Sequence, residues 1–336
     1  MVKKGFTASI IFLGNSLNYG EGFSNFSELK KFARGDGNLY TFGSRQSLRY
    51  DIVRLGSERF GWELVETKRE GQKGTIQFKI EEKDIAEAIK KYEELDLFGY
   101  MITKRAQRGK KKKGNEGEET KDEEKGESLT RSAVVRLSNA ISLEPYKNDL
   151  EFLSNKGMAD RLEDKEKNRN ANIANIEFHN SFYTYTITID LSRVGVIEDN
   201  KNVKEVVEKE EKFKRVSELL DVIKFLNRNI RGRCENLSPL FIIGGVYDIV
   251  HPFFLGRLQV KGLNQKYYIV KEPIESTLNM QIWNNKKVKD DTYIGAMPGV
   301  FENLDEIGSL VPSGVISVDE FFNNVKEKIK DYYEVK

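Results

Sequence analysis

The chain has 336 residues, of which 38% are hydrophobic and 32% charged, and its formal net charge is +2 at pH 7. This length supports one large domain or two ordinary ones with a sizeable core. The small net charge excludes a uniformly basic protein, so any nucleic-acid site must be local. The single cysteine, Cys234, excludes an internal disulfide and fits a reducing cytoplasm. One cysteine and two histidines are too few for the usual four zinc ligands.

We therefore expect a cytoplasmic protein without a metal ion or another cofactor. No run approaches the roughly 20 apolar residues of a membrane span, so we also expect no membrane association. At the start of the chain, the alternation of apolar and small residues from Phe6 to Leu13 predicts a half-buried strand. The Gly/Asn/Ser-rich segment 15–25 follows, where glycines permit close backbone approach and free N–H groups can bind an anion. Asn15 and Asn18 are its candidate binding residues.

The run Gly43–Leu55, GSRQSLRYDIVRL, predicts a helix with one buried stripe. Ser44 suits the N-cap, where its side-chain oxygen accepts from a backbone N–H that has no partner within the helix. Leu48, Ile52 and Leu55 follow the i, i+4, i+7 spacing of one helix face.

The first turn of this helix is basic. Arg45 and Arg49 are four residues apart and share a face, with Gln46 beside them. A helix N-terminus attracts anions, so the pattern of these three side chains predicts a phosphate-binding site. The alternative is a solvated helix face on which the arginines pair with Asp51 and Glu58.

In the middle of the chain, charged segments alternate with predicted strands. Residues 104–130 carry few apolar side chains and predict a mobile, charged surface loop. The run Ser132–Leu143 predicts a central strand, and Arg131 and Arg136 are basic residues in segments that otherwise resemble core elements. A second charged segment covers residues 144–177. After it, the run Ser181–Leu191 has the alternating aromatic and β-branched residues of a strand.

The last third predicts a helix over Val203–Arg231 and strands near 240–250 and 267–270. A final helix begins at Ser317, where Glu320 three residues later forms a capping box. Strands and helices therefore mix without strict alternation. This pattern indicates an α+β fold, an antiparallel sheet with helices on one face.

Catalytic signals are weak. The chain has no phosphate-binding Walker loop, no dinucleotide fingerprint and no metal-ligand spacing. His179 and His251 are candidate general bases for RNA cleavage, although a lone histidine beside a strand is more often structural.

Five segments occur in a characteristic order: GFTASIIFLGNSLNYGEG, GSRQSLRYDIVR, DLFGYM, RSAVVRLSNAISLEPY and SFYTYTITIDLSRVG. Together they resemble the DevR branch of the RNA-binding backbone subunit of Cascade, the CRISPR interference complex, most like type I-B. The resemblance spans roughly residues 1 to 260. It implies an RRM-like, ferredoxin-like palm with an antiparallel sheet and inserted finger and thumb elements.

The resemblance also implies how the chain is divided and what it binds. Residues 1–336 form one palm domain, in which 144–180 is a thumb-like insertion and 200–336 completes the palm and adds the C-terminal helix. The implied partners are guide RNA, copies of the same chain, other Cascade subunits, and target DNA through the guide. The family's type I subunit has no nuclease activity.

Carried onto this sequence, the resemblance places the first turn of the basic helix against RNA and assigns base-wedging residues to the thumb. The candidate RNA-binding residues are Asn15, Asn18, Ser44, Arg45, Gln46, Arg49, Arg131 and Arg136. The wedge candidates are Phe152, Leu153 and Met158, for which the alternative is a small satellite core.

Three interpretations stay open. The first is the non-catalytic RNA scaffold. The second is an RRM-like endoribonuclease that processes CRISPR repeat RNA with His179 or His251. The third is a self-assembling or regulatory protein that never contacts RNA. Related type III subunits cut target RNA with a loop aspartate, and here Asp36 within RGDG is only a weak match.

Overall fold

The computed structural model describes residues 3–69, 75–103, 128–162, 172–199 and 202–335. The strands are β1 (Gly5–Asn15), β2 (Phe26–Ser27), β3 (Lys31–Ala33), β4 (Leu39–Gly43), β5 (Thr67–Arg69), β6 (Ile76–Phe78), β7 (Tyr100–Thr103), β8 (Ser128–Arg131), β9 (Val135–Leu137), β10 (Ala140–Ser142), β11 (Asp149–Ser154), β12 (Ile173–Phe178), β13 (Asn180–Asp190), β14 (Val196–Asp199), β15 (Asn202–Glu205), β16 (Asn227–Ile230), β17 (Arg233–Asn236), β18 (Phe241–Tyr247), β19 (Val260–Leu263), β20 (Lys266–Ile269), β21 (Thr292–Ala296) and β22 (Val315–Ile316).

The α-helices are α1 (Arg45–Phe60), α2 (Ile85–Lys91), α3 (Glu93–Phe98), α4 (Lys156–Ala159), α5 (Lys209–Lys224), α6 (Lys271–Leu278), α7 (Leu304–Gly308) and α8 (Val318–Tyr333). Short 3-10 turns lie at Glu82–Asp84, Leu191–Arg193, Trp283–Asn285 and Val288–Asp291.

The main sheet is built around β1. Its order is β22-β21-β18-β1-β13-β10-β4-β3, and β9 pairs with β13 beside β10. Neighbouring strands are antiparallel except for the β21–β22 pair. Ala8 lies opposite Ile187 on one side and Gly244 on the other. Gly244 permits that close pairing, because a Cβ there would lie 2.1 Å from the Thr7 carbonyl oxygen.

Each face of the sheet has its own cover. The even-numbered residues of β1 from Phe6 to Phe12 point toward α1, α5 and α8 and form the larger core. The predicted stripe of Leu48, Ile52 and Leu55 is buried in this core, as expected. On the opposite face, Ile11 belongs to a second core with residues from 241 to 311. The α+β class with an antiparallel sheet is confirmed.

Several predicted elements agree with the structure. The first strand, the basic helix and the strand at 181–191 are present as β1, α1 and β13. The capping box at Ser317 has both of its hydrogen bonds with Glu320, at 3.1 and 2.9 Å. The strand predicted over 132–143 is present as β9 and β10, interrupted at Ser138 and Asn139.

The helix predicted over Val203–Arg231 is wrong at both ends, since α5 covers only Lys209–Lys224. The segment on its C-terminal side is a hairpin, β16–β17. Its turn residues Arg231 and Gly232 have φ of 48° and 77°. This pair of positive φ angles is typical of a tight two-residue hairpin turn.

The predicted mobile loop at 104–130 is only partly visible. Residues 104–127 lie outside the described residues. Residues 128–130 belong instead to β8, which pairs with β7. Residues 144–180 contain β11, α4 and β12, and β12 pairs in parallel with β2.

A buried ionic cluster centres on Asp96 of α3. Its carboxylate oxygens lie 2.8 Å from Arg131 Nη2 and 3.0 Å from Arg215 Nη1. Both oxygens also accept from the Gly195 backbone N–H. Arg131 and Arg215 further donate to backbone carbonyls, including that of Ile89. The cluster joins α3, β8, α5 and the turn before β14.

Replacing Asp96 with alanine should destabilise the protein by about 3–5 kcal/mol, because the buried Arg131 loses its carboxylate partner and the buried Arg215 keeps only Glu211. Urea unfolding followed by circular dichroism measures this effect. The control is Glu66→Gln, which removes an exposed ion pair with Lys79 and should leave the midpoint unchanged. Equal midpoints for Asp96→Ala and the wild type would contradict a structural role for the cluster.

Candidate nucleic-acid interface

The N-terminus of α1 is fixed to the preceding glycine-rich loop. Ser44 has the extended backbone of an N-cap, and its Oγ accepts from the Ser47 N–H at 3.2 Å. The same Oγ accepts from Asn18 Nδ2 at 3.1 Å. The capping role expected for Ser44 is therefore confirmed, and the loop and the helix start form one unit.

An open cavity of about 630 Å³ lies beside this helix start. Four of the candidate residues, Arg45, Gln46, Arg49 and Arg136, line it together. They come from α1 and from β9, which are separated by some 80 residues or more of sequence and are in contact in the fold. The other lining residues are Phe98, Ala133, Val135 and Leu137. We call this space the basic cavity.

A hydrogen bond from backbone to side chain joins the two walls of the basic cavity. The Arg45 N–H donates to Asn139 Oδ1 at 2.9 Å, which anchors α1 to the interruption between β9 and β10. The side chains of Arg45, Gln46 and Arg136 are exposed, so they are accessible from solvent. Arg136 Nε makes a long hydrogen bond to the Ala133 carbonyl at 3.4 Å.

Arg49 is the partly enclosed cation of the cavity. Its Nη2 lies 3.2 Å from Glu94 Oε1, and its guanidinium carbon lies 5.3 Å from the centre of the Phe98 ring. Glu94 therefore places one carboxylate next to an otherwise basic surface. Because α3 carries both Glu94 and Phe98, the position of this helix sets the environment of Arg49.

The pairing considered as an alternative involves a different arginine. Arg54 contacts Asp51 at 3.6 Å and Glu58 at 3.0 Å. Arg228 contacts Asp51 at 2.7 Å from the β16–β17 hairpin. Burial raises the pKa of Asp51, and these two arginines oppose that shift. The carboxylates on the other side of α1 thus have their own partners, and Arg45 and Arg49 stay on the cavity side.

Two candidates lie apart from the cavity. The Arg131 side chain is only 6% exposed in the Asp96 cluster and donates to the carbonyls of Arg193 and Val196, so we leave it out of the proposed interface. Asn15 donates its backbone N–H to Glu235 Oε2 at 3.2 Å on β17.

A basic group that the sequence analysis missed lies on the β16–β17 hairpin. Arg231 stacks over the Tyr19 ring at 4.1 Å and donates to Ser27 Oγ at 3.0 Å. Arg228 Nε donates to the Leu17 carbonyl at 2.8 Å. Both arginines hold the glycine-rich loop. The Arg–Gly pair at 231–232 is the signal that could have revealed this hairpin.

The model of the family described as CRISPR-associated negative auto-regulator DevR/Csa2 matches residues 6–267, more than half of the chain. The chain belongs to the DevR/Csa2 family of CRISPR-associated proteins. None of the curated proteins matches it in sequence.

Two solved structures similar to this DevR/Csa2 protein are titled as CRISPR complexes. One, titled "CRISPR RNA-guided surveillance complex, pre-nicking", has a TM-score of 0.56 at 9% identity, covering 97% of this chain and 99% of that one. Another, titled "CRISPR RNA-guided surveillance complex", has a TM-score of 0.52 at 11% identity, covering 96% and 99%. At these identities the likeness concerns the fold.

The three wedge candidates of the DevR/Csa2 chain are exposed. Phe152 and Leu153 on β11 are 62% and 42% exposed, and Met158 on α4 is 69% exposed. They do not form the satellite core that was the alternative. The sheet β11-β12-β2 thus presents apolar side chains to solvent.

Two of the three candidate catalytic groups of the DevR/Csa2 chain, His179 and Asp36, have hydrogen-bond partners within the fold, whereas His251 is exposed beside the Phe253 ring. His179 is buried, and its Nδ1 lies 2.8 Å from Thr41 Oγ1. Asp36 accepts from the Asn38 N–H at 3.0 Å and the Tyr40 hydroxyl at 2.8 Å, and these bonds lower its pKa.

Within the described residues, no group of three or more His, Cys, Asp or Glu side chains could hold a metal ion. In the same part of the chain, no helix is long and apolar enough to cross a bilayer.

Acid should destabilise the fold through His179. Burial lowers the pKa of this imidazole below its ordinary value, although Glu144 and Asp149 partly oppose the shift. The unfolded chain therefore binds the proton more readily, and stability should fall as the pH drops through about 6.5. Urea midpoints at pH 7.5 and 5.5 measure this loss.

The variant His179→Asn should show a smaller difference between the two pH values than the wild type. The matched control is His251→Asn, which replaces an exposed histidine and should keep the wild-type difference. A wild-type difference in His179→Asn would show that other groups cause the acid sensitivity.

Proposed function

We propose that this DevR/Csa2 protein is a non-catalytic backbone subunit of a type I CRISPR interference complex, most like type I-B. It binds single-stranded guide RNA along the phosphate backbone and assembles on that RNA for target DNA recognition in antiviral defence. The observation that carries the proposal is the basic cavity, because it unites Arg45, Gln46, Arg49 and Arg136 from distant segments.

The chemistry of the basic cavity suits an RNA backbone. Three guanidinium groups provide positive charge and fixed N–H donors, and guanidinium geometry matches phosphate oxygens. The N-terminus of a 16-residue helix adds its positive dipole end. These groups would contact phosphates and would not read bases, so binding should be largely independent of sequence.

We infer that the central part of the main sheet is the RRM-like palm. Four strands have the spatial order β18-β1-β13-β10. Along the chain, these strands come in the order β1, β10, β13 and β18. Helix α1 lies between β1 and β10, and helix α5 lies between β13 and β18. This β-α-β-β-α-β order with two helices on one face supports a ferredoxin-like palm.

The proposed thumb is the insertion at 144–180. Several apolar side chains exposed close together can mark an interaction site. Phe152, Leu153 and Met158 have the exposure that a base wedge requires. Apolar and aromatic side chains of this kind stack against unpaired bases.

Self-assembly and partner subunits are part of the same proposal. The similar structures carry the words "RNA-guided surveillance complex" in their titles, which supports guide RNA and other complex subunits as partners here. Contact with target DNA would be indirect, through base pairing with the guide.

Salt dependence tests the phosphate contacts. Removing one cation that neutralises a phosphate should flatten the slope of log K against log salt concentration by about 0.7 for a single strand. Arg45→Ala and Arg49→Ala should each show this change in fluorescence anisotropy titrations with single-stranded RNA.

The matched control is Arg59→Ala at the far end of α1, where the guanidinium lies over the Phe225 ring. Its slope should equal the wild-type slope. Unchanged slopes in both Arg45→Ala and Arg49→Ala would contradict the proposed interface.

Glu94→Gln should bind RNA about 2- to 5-fold more tightly, because Arg49 no longer has to leave a carboxylate partner. Anisotropy titrations at constant salt measure this gain. In an Arg49→Ala background the same change should have a smaller effect. Weaker binding by Glu94→Gln would instead mean that the carboxylate positions Arg49 for the phosphate.

Assembly on RNA is expected to depend on RNA length. With RNA of about 40 nucleotides, several copies should bind one strand, given site sizes of roughly 4–16 nucleotides per module in single-strand binders. Light scattering after size exclusion measures the mass of the complex. A complex with strictly one copy on such an RNA would contradict the assembly part of the proposal.

A further inference from the structure

A second cleft, of about 370 Å³, opens on the face of the main sheet opposite α1. The β3–β4 hairpin forms one wall, and the segment 255–260 forms the other. Its floor is formed by parts of β10, β13 and the Ser138–Asn139 interruption. We call this space the sheet cleft.

The floor of the sheet cleft is a part of the sheet that its second core does not cover. Phe182 lies on this face and is covered, with its ring centre 4.8 Å from Tyr267 and 5.4 Å from Phe301. Two and four residues further along β13, the side chains on the same face are Thr184 and Thr186. Thr186 is buried, with its Oγ1 2.6 Å from Ser9 Oγ, so the partly exposed Thr184 presents the accessible hydroxyl where the aromatic cover ends.

The wall formed by the β3–β4 hairpin holds a preorganised arginine. The Arg34 guanidinium lies 4.2 Å from the centre of the Tyr40 ring. The turn beneath it is fixed, because Gly37 N–H donates to the Arg34 carbonyl and Asp36 accepts from the Tyr40 hydroxyl. The same guanidinium lies 5.7 Å from the centre of the Phe32 ring, and Arg34 is exposed, so a further flat group can stack on its solvent side.

The sheet cleft and the basic cavity border the same short segment of the chain. Arg136 and Leu137 line the basic cavity, and the next two residues, Ser138 and Asn139, line the sheet cleft. Successive Cα atoms are about 3.8 Å apart, so residues that line the two spaces are immediate neighbours along the chain. Asn139 also accepts from the Arg45 N–H, which links it to the phosphate-binding side.

We propose that the sheet cleft receives one nucleotide of the same single-stranded RNA, next to those held in the basic cavity. Its base stacks on Arg34, and its ribose faces the hydroxyl floor. This inference rests on the proposed function, because it requires RNA in the basic cavity.

The charges of the sheet cleft favour a base and a ribose over a phosphate group. Asp36 is ionised next to Arg34, since its bonds with Asn38 and Tyr40 lower its pKa. A phosphate beside this carboxylate would be repelled, whereas a base has no net charge. Hydroxyl groups such as that of Thr184 can both donate to and accept from a 2′-hydroxyl.

Two substitutions at Arg34 separate stacking from charge. Arg34→Ala removes both, and Arg34→Lys keeps the charge but removes the planar group. We expect both variants to bind a uridine oligonucleotide of about six residues roughly 5- to 20-fold more weakly. Because Arg34 stacks on a base and does not neutralise a phosphate, the salt slope should match that of the wild type. Arg34 is exposed, and unchanged thermal unfolding of both variants is the check on folding.

The matched control is Arg59→Ala, which removes another exposed arginine that lies over an aromatic ring. Arg59 is in the last turn of α1, at the far end from Arg45. Affinity of Arg34→Ala equal to that of Arg59→Ala would overturn the proposal. Full affinity in Arg34→Lys, or a slope flattened by about 0.7 in Arg34→Ala, would show a charge or phosphate contact and would also overturn it.

Photo-crosslinking with 4-thiouridine in the same oligonucleotide locates the base directly. The expected cross-links are to peptides that contain Tyr40 or residues 138–143. Cross-links confined to other peptides, or Arg34 variants that impair only assembly on longer RNA, would make the sheet cleft a contact between protein copies.

If Arg45→Ala and Arg49→Ala bind like the wild type, the proposed function fails as well. If they weaken binding and the Arg34 variants do not, only this inference fails.

Discussion

The carboxylate of Asp96 is the constraint on which the arrangement of the candidate interface depends. It is fully buried and satisfies Arg131, Arg215 and the Gly195 N–H at once. A buried charge of this kind is costly unless every partner is present, so the cluster forms only when α3, β8 and α5 have reached their final positions. Phe98, two residues after Asp96, lines the basic cavity. The ionic cluster therefore fixes a wall of the cavity from within the core.

The cluster also explains why two similar arginines have different roles. Arg131 and Arg136 are five residues apart, and both are basic residues in apolar surroundings. The first is buried against Asp96, whereas the second is exposed in the basic cavity. Nothing in the local sequence separates them, because the difference comes from an aspartate on another element. The sequence shows which residues are basic, but the packing of the fold determines which of them remain exposed to bind a ligand.

Elements with a strong local pattern could be predicted. The two-residue period of β1 and β13, the Ser44 cap with its buried stripe, and the Ser317 capping box depend on near neighbours in the chain. The gathering of Arg45 and Arg49 with Arg136 could not be predicted, because it depends on α1 packing beside β9. The helix predicted over 203–231 is wrong at both ends, where β15 and the β16–β17 hairpin form instead, although basic residues near 231 suit a helix C-terminus. The turn at Arg231 and Gly232 outweighs that charge pattern.

The two ends of the main sheet have a consequence for how copies of this chain can meet. In the described part of the chain, the sheet ends at β22, which has two residues, and at β3, which has three. Edges this short offer few unpaired backbone groups to a neighbour, so one copy cannot easily extend the sheet of another. If copies assemble on RNA as proposed, their contacts would rely on side chains and on the shared RNA. In that proposed assembly, the copies would stay separate until RNA is present, and the length of the RNA would set the number of copies.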